Sequence, residues 1–297
     1  MRMYYSLAAL AAVLIAVMVA VNGELTALYA VHLSTFLIHA VGLAFVTAVA
    51  LVRREKLIRV RGLPLMLFCG GAIGYLTTLF NNMAVGRISV TAILALSLLG
   101  QAGTSFVIDQ FGFFGMPVRR FSVGKLAGLS MTCLGIVFLL RDGGAGAFVP
   151  AFVSLLTGVT VVTSRQVNAQ LAERTSVTVS TWYNYLVGLV TSAAALGVMA
   201  LCGADIPWSA GVSPRLWIYL GGAIGAVVVF LSNICVQRMP SLVMTLVMFA
   251  GQVFGGVAID AAFFGVFSWQ ALAGGLFAFL GLVLNVYLDA RAEREKD

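Results

Sequence analysis

Polar side chains stand at intervals in an otherwise apolar chain, and many of them come in pairs. Gln101 and Gln252 each follow a Gly. A carboxamide offers two donors and an acceptor without charge, which suits it to hold a polar solute or to bond a neighbouring helix. Asn22 pairs with Asn168, and Asn82 with Asn233; each of these lines a pathway or bridges helices. Ser180, Asn184 and Gly188 fall at i, i+4 and i+8, one helix face, and Thr35 and His39 repeat the pattern earlier. Trp182 beside this stripe reads either as pocket lining or as an interfacial anchor.

The charged candidates are few: Glu24, His39, Asp109, Asp260 and Arg165. Any coupling to protons or gating of a pathway falls to them. His39 titrates near neutral pH when exposed. Asp109 and Asp260 sit two turns past each Gln and read as gates or as helix-end carboxylates. Arg165 either snorkels to the headgroups or presents its charge to an anionic group.

The surrounding elements must be membrane helices. Hydrophobic residues make up 61% of the 297 and charged residues 10%, against about half and a quarter in soluble domains. Apolar stretches fall at 4–28, 33–52, 63–84, 89–111, 122–140, 149–171, 178–201, 215–236, 241–264 and 268–289. Each is near the roughly 20 residues that cross hydrocarbon, and open strands cannot do so. The fold class is all-α: a polytopic membrane protein of ten transmembrane helices. The first twenty residues resemble a secretory signal, but they lead into Asn22, whose counterpart Asn168 lies in an internal helix.

The pairs arise from duplication. Val21-Asn22 and Leu25 recur as Val167-Asn168 and Leu171, 146 positions on. Gly70-Gly71-Ala72-Ile73-Gly74 recurs as Gly221-Gly222-Ala223-Ile224-Gly225, 151 positions on. Residues 1–146 and 147–297 thus form two five-helix repeats in one integrated domain. An odd number of spans per copy inverts the second copy, and inverted copies share a site at their interface. With ten spans, 15 of the 18 Lys and Arg fall on the side of the termini and three on the other. Positive residues favour the cytoplasm, so both termini are expected there, with the protein in a bacterial inner membrane.

Several functions are excluded. There is no HExxH, GxSxG or P-loop, so neither an enzyme nor an ATP-driven pump is expected. No cofactor or metal is expected. The net charge of +7 reflects membrane orientation, not nucleic acid. Cys69, Cys133, Cys202 and Cys235 are scattered and read as small buried apolar residues. The GxxxG faces at Gly70 and Gly221 read as helix packing. The expected partners are a small-molecule substrate, the lipid bilayer and protons or another coupling ion. The oligomeric state is open between monomer and homodimer.

The ordered motifs resemble the drug/metabolite transporter superfamily, and within it the YdcZ-type branch, in fused ten-helix form. The resemblance rests on Asn22, Gly70-Gly71, Asn82, Gly100-Gln101 and Asp109 in the first copy. In the second it rests on Asn168, Ser180-Thr181-Trp182-Tyr183-Asn184, Gly221-Gly222, Asn233, Gly251-Gln252 and Asp260. It implies a central cavity framed by spans 1–4 and 6–9, with spans 5 and 10 outside. It also implies export of a small solute. Small multidrug resistance proteins carry an acid midway along span 1; Ala12–Ala20 has none. The expected function is a secondary transporter exporting a small polar metabolite or drug-like compound by alternating access. A passive facilitator or channel and a lipid-handling protein are the alternatives.

Overall fold

The computed structural model describes residues 2–57, 62–113, 145–236 and 241–263, with scattered positions between 265 and 287. The expected span 122–140 lies outside the described residues, as do Cys133 and the Asp109 side chain. Among the described residues the structure is helical and has no strand.

The first helix, α1, runs Arg2–Val52 but breaks at Ala30, whose φ of 56° and ψ of 176° are not helical. The break divides it into limbs 2–29 and 31–52, each long enough for one crossing. The limbs fold back on each other: Thr26 Oγ1 and Ser34 Oγ are 3.0 Å apart, whereas eight residues of straight helix would advance about 12 Å. The sequence suggests a short loop there, and the structure makes the reversal at one residue.

The remaining helices are α2 Gly70–Ala84, α3 Val90–Phe111, α4 Phe148–Arg174, α5 Val177–Leu201, α6 Gly221–Val236 and α7 Ser241–Phe263. Ser89 caps α3 by accepting from the Ala92 N–H, and Ser176 caps α5 by accepting from Val179. Both satisfy donors that a helix start leaves free. Gly112 ends α3 with φ of 65°, a left-handed cap that Gly adopts without strain. Two expected spans begin differently. Short 3₁₀ segments, Leu65–Phe68 and Leu216–Leu220, precede α2 and α6, and the α-helices start only near the Gly pairs.

Met3–Val52, Phe148–Arg174, Val177–Leu201 and Leu216–Cys235 are long and apolar enough to cross a membrane; Val90–Ser105 and Val247–Phe263 are shorter apolar helices. Large apolar residues such as Phe148, Phe152, Val190 and Val198 face outward, as a lipid solvent permits. Inside, small residues bring helices together. Ala8, Ala11 and Ala12 are fully buried against Cys235 and Met248. Ala16, Val19 and Ala20 pack on Val90, Ile93 and Leu94 of α3. Cys69 and Cys202 are exposed at helix ends, which corrects the expectation of burial; Cys235 is buried.

The closest approaches recur at matched positions. A Cβ on Gly70 would lie 2.2 Å from Asn168 Oδ1, and one on Gly221 1.8 Å from Asn22 Oδ1. A Cβ on Gly71 would meet the Asn184 carbonyl at 2.4 Å, and one on Gly222 the Ile38 carbonyl at 2.2 Å. Gly188 packs on His39, and Gly42 on Tyr185. Helices of residues 1–146 therefore pack chiefly on helices of residues 147–297.

Candidate functional site

A cavity of about 180 Å³ opens where these helices meet, room for about six waters. Its walls repeat the internal offsets. Ile15, Met18, Val19 and Asn22 of α1 line it, as do Val161, Ser164, Arg165 and Asn168 of α4. These are the same four positions 146 residues apart, at the i, i+3, i+4, i+7 spacing of one helix face. Gly74, Thr77, Thr78 and Asn81 of α2 answer to Gly225, Val228, Val229 and Ser232 of α6, 151 apart. His39 answers to Tyr185, and Gln101 to Gln252.

The matched positions carry different chemistry. On α2 and α4 most are polar, namely Thr77, Thr78, Asn81, Ser164, Arg165 and Asn168, with Gly74 and Val161 the exceptions. On α1 and α6 most are Met, Val or Ile. The polar wall is continuous: Ser164 Oγ donates to the Gly70 carbonyl at 2.8 Å, and Thr77 Oγ1 donates to Thr160 Oγ1 at 2.8 Å. The opposite wall is continuous too, with Asn22 against Gly221 and Met18 Sδ 3.1 Å from a Cβ on Gly225. One end of the α1–α6 wall keeps amides, at Asn22 and Asn233.

The amides differ in how far they are satisfied. Asn168 Nδ2 donates to Asn184 Oδ1 at 2.9 Å and to Ser164 Oγ at 3.2 Å. Gln101 Nε2 reaches Ser97 Oγ at 3.5 Å, and Gln252 is 2% exposed. Asn22 Oδ1 and Asn233 Nδ2 are buried and have no protein partner among the described residues. Buried polar atoms left open cost about 1–3 kcal/mol each, so water or solute must serve them. His39 Nδ1 lies 2.8 Å from the Thr35 carbonyl. A carbonyl only accepts, so Nδ1 carries the hydrogen and Nε2 is left as the basic nitrogen.

Other candidates lie away from the cavity. Asn82 Nδ2 donates to Thr35 Oγ1 at 3.0 Å and Ser34 Oγ at 3.3 Å, which ties it between helices. Ser180 Oγ donates to the Asn168 carbonyl at 2.7 Å, and Trp182 Nε1 to Thr47 Oγ1 at 2.9 Å. Glu24 pairs with Arg215 at 3.0 Å and borders a separate pocket with Trp217 and Phe263. Asp260 accepts from Val90 N, Thr91 N and Thr91 Oγ1 at 3.1, 3.0 and 2.7 Å. Its carboxylate thus holds the start of α3, where the helix dipole favours an anion. Of the coupling or gating candidates with described side chains, His39 and Arg165 line the cavity, and Glu24 and Asp260 do not.

The family described as "Putative inner membrane exporter, YdcZ" matches residues 3–138 and again 149–287. The chain belongs to this family. It is a YdcZ-type member of the drug/metabolite transporter superfamily, and the family's description is that of an inner-membrane exporter. A solved crystal structure of a protein aligns over 98% of this chain and 98% of its own, at TM-score 0.64 and 19% identity. At that identity the likeness concerns the fold. No curated protein matches.

This YdcZ-family site includes residues that the pairing argument passes over. Asn81 stands beside the paired Asn82 and has no Asn partner in the repeat, yet it reaches the cavity and its equivalent Ser232 does as well. The signal was there: Thr77, Thr78 and Asn81 share a face with Gly74. Identity between copies marks packing glycines and lining amides alike, so the lining is marked by equivalent position and not by identity alone.

Proposed function

We propose that this protein is a secondary transporter that exports a small polar solute by alternating access through the central cavity. Its two five-helix repeats, 1–146 and 147–297, lie inverted in a ten-span chain with both termini cytoplasmic. The observation that carries the reading is the cavity lining: equivalent positions of both repeats face one space. Three further facts support it: two separate family matches, one in each repeat, the paired Asn–Gly contacts and the skewed distribution of Lys and Arg. Inverted repeats around a midplane site can exchange conformations and so open the site to either side.

Gln101, Gln252, Asn22, Asn168, Asn184 and Asn233 serve as solute contacts, and His39 is the group placed to carry a proton. The test is flux in proteoliposomes with and without a pH gradient. Uphill movement driven by the gradient supports a coupled transporter. Flux that only follows the solute gradient indicates a passive facilitator instead.

A further inference from the structure

We propose that the solute is a small organic anion with an apolar body, its oxyanion head held by Arg165. This deepens the transport reading and rests on it. Arg165 lines the cavity from α4, beside Ser164 and on the same polar wall as Thr77 and Thr78 of α2. Its equivalent in the first repeat is Val19, also at the cavity, so the charge breaks the symmetry of the site. A guanidinium keeps its positive charge in proteins, and a charge away from bulk water needs a partner.

Among the described side chains no carboxylate answers it. None of the described lining residues is Asp or Glu. Glu24 is paired with Arg215, and Glu55 accepts from Ser176 and Thr178. Asp260 is taken up by the start of α3, while Glu173 and Asp205 are exposed. A cationic solute would meet repulsion with no compensating anion. A carboxylate or phosphate would gain a charge-assisted, two-pronged contact, with the hydroxyls of Thr77 and Thr78 beside it. Across the cavity Met18, Val19, Val228 and Val229 offer an apolar face, which matches the rest of such a molecule. The same oxyanion chemistry is present in phospholipid headgroups, so a soluble anion and a headgroup must be separated by experiment.

The test is ligand-induced thermal stabilisation of the full chain in phosphatidylcholine nanodiscs. The probes are phenylacetate, phenylacetamide, phenethylamine and acetate. Wild-type protein should be stabilised by phenylacetate, with phenylacetamide, phenethylamine and acetate each at least about tenfold weaker. Arg165→Gln should lose the phenylacetate response, and Arg165→Lys should recover part of it. Unliganded melting of all three proteins establishes that they fold. The proposal is overturned if phenylacetamide or phenethylamine matches phenylacetate. It is equally overturned if Arg165→Gln responds like wild type, or if wild type does not respond up to about 10 mM. Stabilisation only on adding phosphatidylglycerol to the discs assigns Arg165 to headgroups and also overturns it. Efflux of an amine or amide from wild-type proteoliposomes would keep the transport reading and remove the anion. Arg165-dependent binding without efflux would keep the anion site and remove transport.

Discussion

Asn168 leaves no room for a side chain at Gly70: its Oδ1 lies 2.2 Å from where a Cβ would stand. The oxygen sits against the first turn of α2, and Asn22 does the same to Gly221 at the first turn of α6. These contacts fasten each repeat to the other. Gly70→Ala or Gly221→Ala should therefore destabilise the protein by about 1–3 kcal/mol, the usual cost of overpacking. Gly197, in α5 with nothing within 4 Å, is the control. There Ala should be neutral or stabilising by up to about 1 kcal/mol. Thermal unfolding in nanodiscs measures both.

Asp260 binds the start of α3 through three hydrogen bonds. Asp260→Ala strips this cap and should cost about 1–2 kcal/mol, with Asp260→Asn costing less. If Asp260 is structural, the dependence of flux on the pH gradient should be unchanged in the protein that remains folded. A changed proton dependence in Asp260→Asn would return it to a coupling role.

The Glu24–Arg215 pair is the opposite case. Its side chains are 33% and 54% exposed, and exposed pairs contribute within about 1 kcal/mol. Glu24→Gln should leave both melting temperature and flux close to wild type, as read by the same two assays.

Asn82 and Trp182 make side-chain bonds between helices and stand off the cavity. Asn82→Ala and Trp182→Phe should each lose about 1 kcal/mol of stability while substrate affinity stays unchanged. Gln252→Leu should do the reverse: it keeps the fold and weakens binding. Comparing Kd with melting temperature for the three variants separates lining from packing.

Much of this architecture is legible in the sequence because lipid restricts the choices. Helix α5 was expected at 178–201 and runs Val177–Leu201; the stretch expected at 241–264 is Ser241–Phe263. Apolar length sets such limits. The 3₁₀ entries to α2 and α6 were not legible, since they accompany a side chain of another helix pressed against Gly70 and Gly221. Nor was the one-residue reversal at Ala30. At the site, Gln101, Gln252 and the Asn22–Asn168 pair were found by repetition. The same argument left Asn82 open, because an internal match cannot distinguish a residue that faces the cavity from one that fastens two helices. Arg165 and Asn81 have no counterpart of their own type, so repetition underrated them.

Solvent access to equivalent positions of the two repeats tests the central claim most directly. Cysteines are placed singly at Asn81 and Ser232, after replacing the four native cysteines with Ser. A membrane-impermeant thiol reagent is then added to right-side-out or inverted vesicles. The account predicts that each position reacts from both sides, because the cavity opens alternately. Reaction only with a lipid-soluble reagent, or from one face alone under all conditions, would contradict it.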